Sequence, residues 1–193
     1  MAWLTVVFGF LIGSIPTAYI AGRLIMGKDI RRLGDGNVGA QNAFRQLGAK
    51  TGVAVFFIDV GKGALAIAIA QAANVTQIWV LLTGAAVVIG HNWPVFLGFR
   101  GGRGEATTIG VLLTLIPYPL LITAAPALAT LTIKKNVILA SCVLFIPLPL
   151  VCWWFSVPGV LVAYSIALMC LVGITHFFRV RQSTGTPSTG SAG

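Results

Sequence analysis

Five apolar stretches, residues 3–25, 52–73, 77–98, 137–155 and 158–178, decide what this chain can fold into. Each is close to the roughly 20 residues a helix needs to cross the hydrocarbon of a bilayer. Soluble domains carry about a quarter charged residues, whereas 9% of these 193 residues are charged and 57% are hydrophobic. The expectation is an all-α integral membrane protein, one membrane-embedded domain over residues 1–182 with no second core. The first stretch lacks a basic leader and a small-residue cleavage site, so it reads as a retained span. Residues 183–193 are a tail of Ser, Thr, Gly, Pro and Ala, unable to bury a core and expected to be disordered.

The formal net charge is +9. Its basic residues are spread over several loops and form no run of their own, which argues against nucleic acid. Topogenic charge and attraction to anionic lipid headgroups account for them. Cys142, Cys152 and Cys170 sit in apolar runs with no metal-ligand or disulfide spacing, as small hydrophobes do.

The stretch 105–133 is longer than a single span needs, and Pro117 and Pro119 interrupt it. Each proline removes a donor and disfavours helix just before it. As one span it would put Arg100 and Arg103 on one side and Lys134 and Lys135 on the other, against the positive-inside rule. As a hairpin of two short helices it returns to the side it left. The loop-borne Lys and Arg then share the cytoplasmic face, with the N-terminus out and the C-terminus in. Lys62 alone lies deep in a span, three residues after Asp59 and on the same helix face. A structural ion pair is the plainer reading; intramembrane charges otherwise mark function.

Polar residues and glycines gather in the breaks between spans. The first break holds Gly34-Asp35-Gly36-Asn37-Val38-Gly39-Ala40-Gln41-Asn42, then Arg45. Glycines let successive N–H groups turn toward one anion, and a short helix over 38–47 would aim its N-terminal amides there too. Asn37 and Asn42 offer neutral donors and Arg45 a planar charged one. The same residues also make an ordinary turn. The second break runs from Gly90-His91 to Gly101-Gly102-Arg103-Gly104-Glu105, a glycine turn feeding a helix start beside two arginines. Two such loops on one face point to a phosphorylated ligand more firmly than either alone. His91 is a candidate base by its ordinary pKa, though a lone His beside a helix end more often orients a neighbour. No carboxylate pair, metal-ligand cluster, nucleophile elbow or Walker lysine loop occurs, which argues against a metal enzyme, a serine hydrolase and an ATPase.

With these motifs the chain resembles the bacterial PlsY family of acyl-phosphate:glycerol-3-phosphate acyltransferases, over nearly all of its length to about Gln182. The resemblance rests on Gly13-Ser14-Ile15-Pro16, the first loop, Phe56-Phe57-Ile58-Asp59 with Lys62-Gly63, and Gly90-His91 through Pro94 to Gly104, followed by Ala106-Thr107. It implies about seven helices, five full spans plus short ones, in a bacterial cytoplasmic membrane. It implies acyl transfer from acyl phosphate to the 1-hydroxyl of glycerol 3-phosphate, giving lysophosphatidate. No cofactor, metal, acyl-CoA or carrier protein is needed, and the donor's own phosphate assists deprotonation. It implies a catalytic set of Asn37, Arg45, Arg103 and His176. It implies a phosphate cradle of Gly34, Gly36, Gly39, Asn42, Gly101, Gly102 and Gly104, with His91 and Asp35 as further candidates. The chain departs from the family pattern at Asp35 and Gln41 in the first loop, Arg103 and Glu105 in the second, Ile138 in the third motif, and Phe178 and Arg179 after His176. Those departures motivate an alternative: a PlsY-like chain that has lost its chemistry and serves as an accessory or scaffold subunit of a membrane complex.

Overall fold

The computed structural model describes residues 1–184, so 185–193, where most of the expected tail falls, lie outside the described residues. Among the described residues ten α-helices run in order: α1 (Trp3–Ser14), α2 (Thr17–Met26), α3 (Ala40–Leu47), α4 (Ala49–Ala72), α5 (Gln77–Asn92), α6 (Glu105–Leu115), α7 (Pro117–Lys134), α8 (Val137–Phe145), α9 (Leu148–Trp154) and α10 (Gly159–Thr184). Seven of them make five candidate spans, Trp3–Met26, Ala49–Ala72, Gln77–Leu97, Val137–Trp154 and Gly159–Arg179, within a few residues of the apolar stretches. Counting each span once, α6 and α7 bring the total to seven segments, the number that the family resemblance implies, with α3 a short polar addition at one end. Prolines 147 and 149 bend the α8–α9 span, and Pro16 breaks the α1–α2 span.

The break at Pro16 meets the buried ion pair. Pro16 has no N–H, so the carbonyls at the end of α1 lack some of their helical donors. Lys62 on α4 reaches them, donating from Nζ to the Ile15 carbonyl at 2.8 Å and the Gly13 carbonyl at 3.4 Å. Its partner Asp59 lies 2.8 Å away and accepts from Thr17 Oγ1, in the first turn of α2, at 2.9 Å. A cation thus meets a helix C-terminus and an anion a helix N-terminus, both favoured by the backbone dipoles. The pair thus ties α4 to both sides of the break, Lys62 adding a donor to its carbonyls and Asp59 accepting the Thr17 hydroxyl.

Small residues let the helices close up. A Cβ on Gly13 would lie 2.0 Å from the Val87 carbonyl oxygen, and one on Gly90 would lie 2.2 Å from that of Phe10, so α1 and α5 pack backbone to backbone. Gly63 and Gly110 do the same for α4 and α6, against the carbonyls of Thr107 and Val60. Such contacts drive helix association where lipid is as apolar as the side chains.

The proline hairpin forms at Ile116. Pro117 opens α7, and Ile116 leaves the helical region with φ −138° and ψ 62°. Glu105, at the start of α6, accepts a hydrogen bond from Ser141 Oγ in the second turn of α8. Both ends of the α6–α7 pair therefore lie at one end of the bundle. The glycine loops are at that same end: Asp35 pairs with Arg103, and Arg179 near the end of α10 donates to the carbonyl of Asn92 at the end of α5.

Candidate functional site

The first loop is built by its own acids. Asp29 caps a 3-10 turn over Ile30–Arg32, accepting from the Arg31 N–H at 3.0 Å, and grips the Arg31 guanidinium at 2.7 Å. The Arg31 side chain holds the Asp29 carboxyl below the usual carboxylate range, and Asp29 in return raises the Arg31 guanidinium. Arg31 also lies over the Tyr19 ring, 5.4 Å from its centroid, and reaches the Leu97 carbonyl, tying the first loop to the second. Gly34 and Gly36 have φ of 58° and 69°, and Asp35 between them accepts the Asn37 N–H at 3.1 Å. Asn42 is buried, and its Nδ2 lies within hydrogen-bond distance of the Ile30, Leu33 and Asn37 carbonyls. It organises the loop from behind.

The second loop rests on the end of α5. Gly101 N–H donates to the Asn92 carbonyl at 3.2 Å, and Gly102 N–H to the His91 carbonyl at 3.1 Å. A Cβ on Gly102 would lie 2.1 Å from His91 Nε2, so only glycine fits over that ring. His91 is buried with Nδ1 3.8 Å from Asp59 Oδ1, beneath the turn. Gly104, with φ 80°, turns the chain into α6 where a Cβ would meet Asn92 Oδ1 at 2.5 Å.

Between the loops lies a basin of about 480 Å³ walled by Arg31, Arg32, Arg100, Arg103 and Arg179. Asp29, Asp35, Gly36, Asn37 and Gly101 complete it. Of the residues singled out by sequence, Gly36, Asn37, Gly101, Arg103 and Asp35 line the basin. Gly39, Asn42, Gly102, Gly104 and His91 are buried and do not line it; Gly34 and Arg45 are exposed and do not line it either. His176 is half-buried on α10, within electrostatic reach of Arg103 and Asp35.

The glycine loops differ from the expected cradle in one respect. The N–H groups of Gly36, Gly101 and Gly102 are committed to Leu33, Asn92 and His91 carbonyls, and that of Asn37 to Asp35. The positive charge facing the basin comes from guanidinium groups instead. By sequence alone Arg31 and Arg32 are topogenic charges, Arg100 is one of the two arginines beside the second glycine turn, and Arg179 is a departure from the family pattern. The signal for a second role is position: two arginines just before the glycine loop, and one a helical turn after His176.

Two polar atoms on basin residues are buried without a partner, Arg103 Nε and Asn37 Oδ1. One is a cationic donor, the other a neutral acceptor. A second hollow of about 590 Å³ shares Arg100 and Arg179 with the basin and is otherwise lined by Trp93, Phe99, Ile174, Thr175 and Phe178. Its lining is mostly apolar and aromatic, with the two arginines as its cationic part. Among the described residues no three His, Cys, Asp or Glu side chains come together as a metal-ligand group.

The family described as glycerol-3-phosphate acyltransferase matches residues 3–184. The chain belongs to that family. It is 50% identical to glycerol-3-phosphate acyltransferase 4 of Dehalococcoides mccartyi over 95% of this chain and 99% of that protein. It is 40% identical to glycerol-3-phosphate acyltransferase 2 of Moorella thermoacetica over 87% of this chain and 86% of the relative. The crystal structure of PlsY (YgiH), an integral membrane glycerol 3-phosphate acyltransferase, in its glycerol 3-phosphate form superposes with a TM-score of 0.84. That match has 35% identity and covers 94% of this chain and 90% of the other. The same enzyme's lysophosphatidic acid form gives a TM-score of 0.82 at 34% identity. The PlsY-type bundle expected from the motifs is the observed fold.

Proposed function

We propose that this chain transfers an acyl group from acyl phosphate to the 1-hydroxyl of glycerol 3-phosphate, releasing lysophosphatidate and phosphate. The observation that carries the reading is the pair of unpartnered atoms on an arginine-walled basin. Arg103 Nε asks for an anion and Asn37 Oδ1 for a hydroxyl. Glycerol 3-phosphate supplies both from one small molecule. The adjoining hollow fits the donor: its aromatic and aliphatic wall takes the acyl chain, and Arg100 and Arg179 at the shared mouth take the donor phosphate.

The chemistry rests on that placement. The hydroxyl oxygen attacks the acyl carbonyl carbon, the new ester C–O bond forms, and the C–O bond to phosphate breaks. The hydroxyl proton passes to an oxygen of the departing phosphate. The protein's part is to hold two phosphates and a carbonyl together against mutual repulsion, which is proximity and electrostatic stabilisation. No protein base is required, in keeping with the buried position of His91. By the positive-inside rule the basin faces the cytoplasm of a bacterial inner membrane, N-terminus out, where the surrounding arginines also meet anionic lipid.

The alternative of lost chemistry rested on the departures from the family pattern. The Asp35–Arg103 pair sits at the basin without filling it, and Ile138 is exposed on α8 outside the basin wall. The relatives' names support the enzyme reading as well. The test is direct: purified protein, acyl phosphate and glycerol 3-phosphate, with lysophosphatidate and released phosphate measured together. Equal amounts of the two products are expected. No lysophosphatidate at high enzyme concentration overturns the reading.

A further inference from the structure

Asp35 occupies a place that a ligand's negative charge would take. Five arginines wall the basin, and its acids are Asp29 and Asp35. Asp29 is held on Arg31 by its backbone cap and side-chain contacts. Asp35 instead bridges the two loops. Its Oδ1 accepts the Asn37 N–H at 3.1 Å and its Oδ2 accepts from Arg103 Nη2 at 2.9 Å, 68 residues along the chain.

The geometry of the arginine gives this contact its meaning. A guanidinium offers its donors in a rigid fork, and one two-donor edge is formed by Nε and Nη2. On Arg103 the Nη2 half of that edge is bonded to Asp35, and the Nε half is buried and unpartnered. A phosphate that docks two oxygens on this edge must take Nη2 from Asp35. We propose that Asp35 sets the affinity of the acceptor site by competing, from within the chain, for the Nε/Nη2 edge of Arg103. The proposal rests on the acyltransferase function proposed for the basin.

Paired with Arg103, Asp35 offsets part of the repulsion among the arginines and keeps Arg103 facing the first loop. When phosphate binds, Asp35 gives up Nη2 and keeps the Asn37 N–H, so its charge stays at the rim. Acceptor and product carry the same phosphate, and both are weakened together. This is uniform binding: it moves KM and product inhibition and leaves kcat unchanged. A site with five cations would otherwise hold its anionic product, and Asp35 works against that retention.

The test uses the whole chain in detergent. Asp35→Asn keeps an oxygen for the Asn37 N–H and removes the charge. Inorganic phosphate binding by calorimetry, KM for glycerol 3-phosphate and inhibition by lysophosphatidate are measured for wild type and variant. A partly exposed ion pair is a modest competitor, so each affinity should tighten about threefold to fivefold. In an Arg103→Gln background the same Asp35→Asn change should have no such effect, because the contested edge is gone. Unchanged or weaker phosphate binding in Asp35→Asn overturns the proposal, as does equal tightening with and without Arg103. Absence of lysophosphatidate from wild type would sink the enzymatic reading alone, since phosphate binding still reports on Asp35.

Discussion

At the scale of single residues, the arginines differ in what holds them. Arg31 is fixed by Asp29, by the Tyr19 ring and by the Leu97 carbonyl. Arg103 has Asp35 on one donor and leaves another buried and free. The first is therefore held as scaffold, and the second keeps a donor unpartnered. Arg103→Ala should raise KM for glycerol 3-phosphate by about 10- to 100-fold, the loss of a charge-assisted hydrogen bond of roughly 1.5–3 kcal/mol, read from initial rates. Asp29 gives a pH signature of a different kind. Its carboxyl is lowered, chiefly by the Arg31 side chain, so the contact adds stability at pH above the ordinary carboxylate pKa. That stability is lost as pH falls through the lowered value. Acid titration of the wild type should show a loss of thermal stability that Asp29→Asn lacks, followed by scanning fluorimetry at successive pH values.

At the scale of elements, the helix breaks carry the argument. The span broken at Pro16 is pinned to α4 on both sides of the break, by Lys62 on the Ile15 carbonyl and Asp59 on the Thr17 hydroxyl. Removing one member leaves the other charge buried and unpaired, at a cost of about 3–5 kcal/mol. Lys62→Met should lower the melting temperature in detergent, and adding Asp59→Leu should restore part of it; two additive losses would contradict the pairing. The second loop is a similar case, since Gly102 lies against His91. Gly102→Ala should cut activity while leaving the protein folded, and a smaller side chain at 91 should relieve part of that loss. The sequence showed the break at Pro117 and those at the glycine runs, and placed the five spans within a few residues, but it read the first span as continuous through Pro16. It did not show that the loop amides bond to the end of α5 and the first turn. That depends on how close α5 sits to the second loop, which apolar periodicity does not encode. Ser141 was likewise invisible as a partner of Glu105, because the two meet only when the α6–α7 pair folds back. Arginine roles were legible as charge and not as wall, since topogenic and ligand-facing arginines occupy the same loops.

At the scale of the whole molecule, the candidate chemistry gathers at one end of the bundle. The connections after α4 and α9 carry no charge, while Arg100, Arg103, Arg179 and the first loop converge at the opposite end with Lys134 and Lys135 above α8. The Glu105–Ser141 contact makes that convergence possible, because it brings both ends of the α6–α7 pair to one level. A single span over the same residues would send Lys135 to the far side. Both topologies keep the first loop and Arg100 together, so only the side on which Lys135 and the helices α8 to α10 start distinguishes them. Substituted cysteines read it out once Cys142, Cys152 and Cys170 are replaced by Ala or Ser. In inside-out vesicles an impermeant maleimide should label Arg100→Cys and Lys135→Cys alike. In intact spheroplasts it should label Asn74→Cys and Ser156→Cys. Labelling of Lys135→Cys from outside would place α10 in reverse, take Arg179 away from Asn92, and dismantle the basin together with the function built on it.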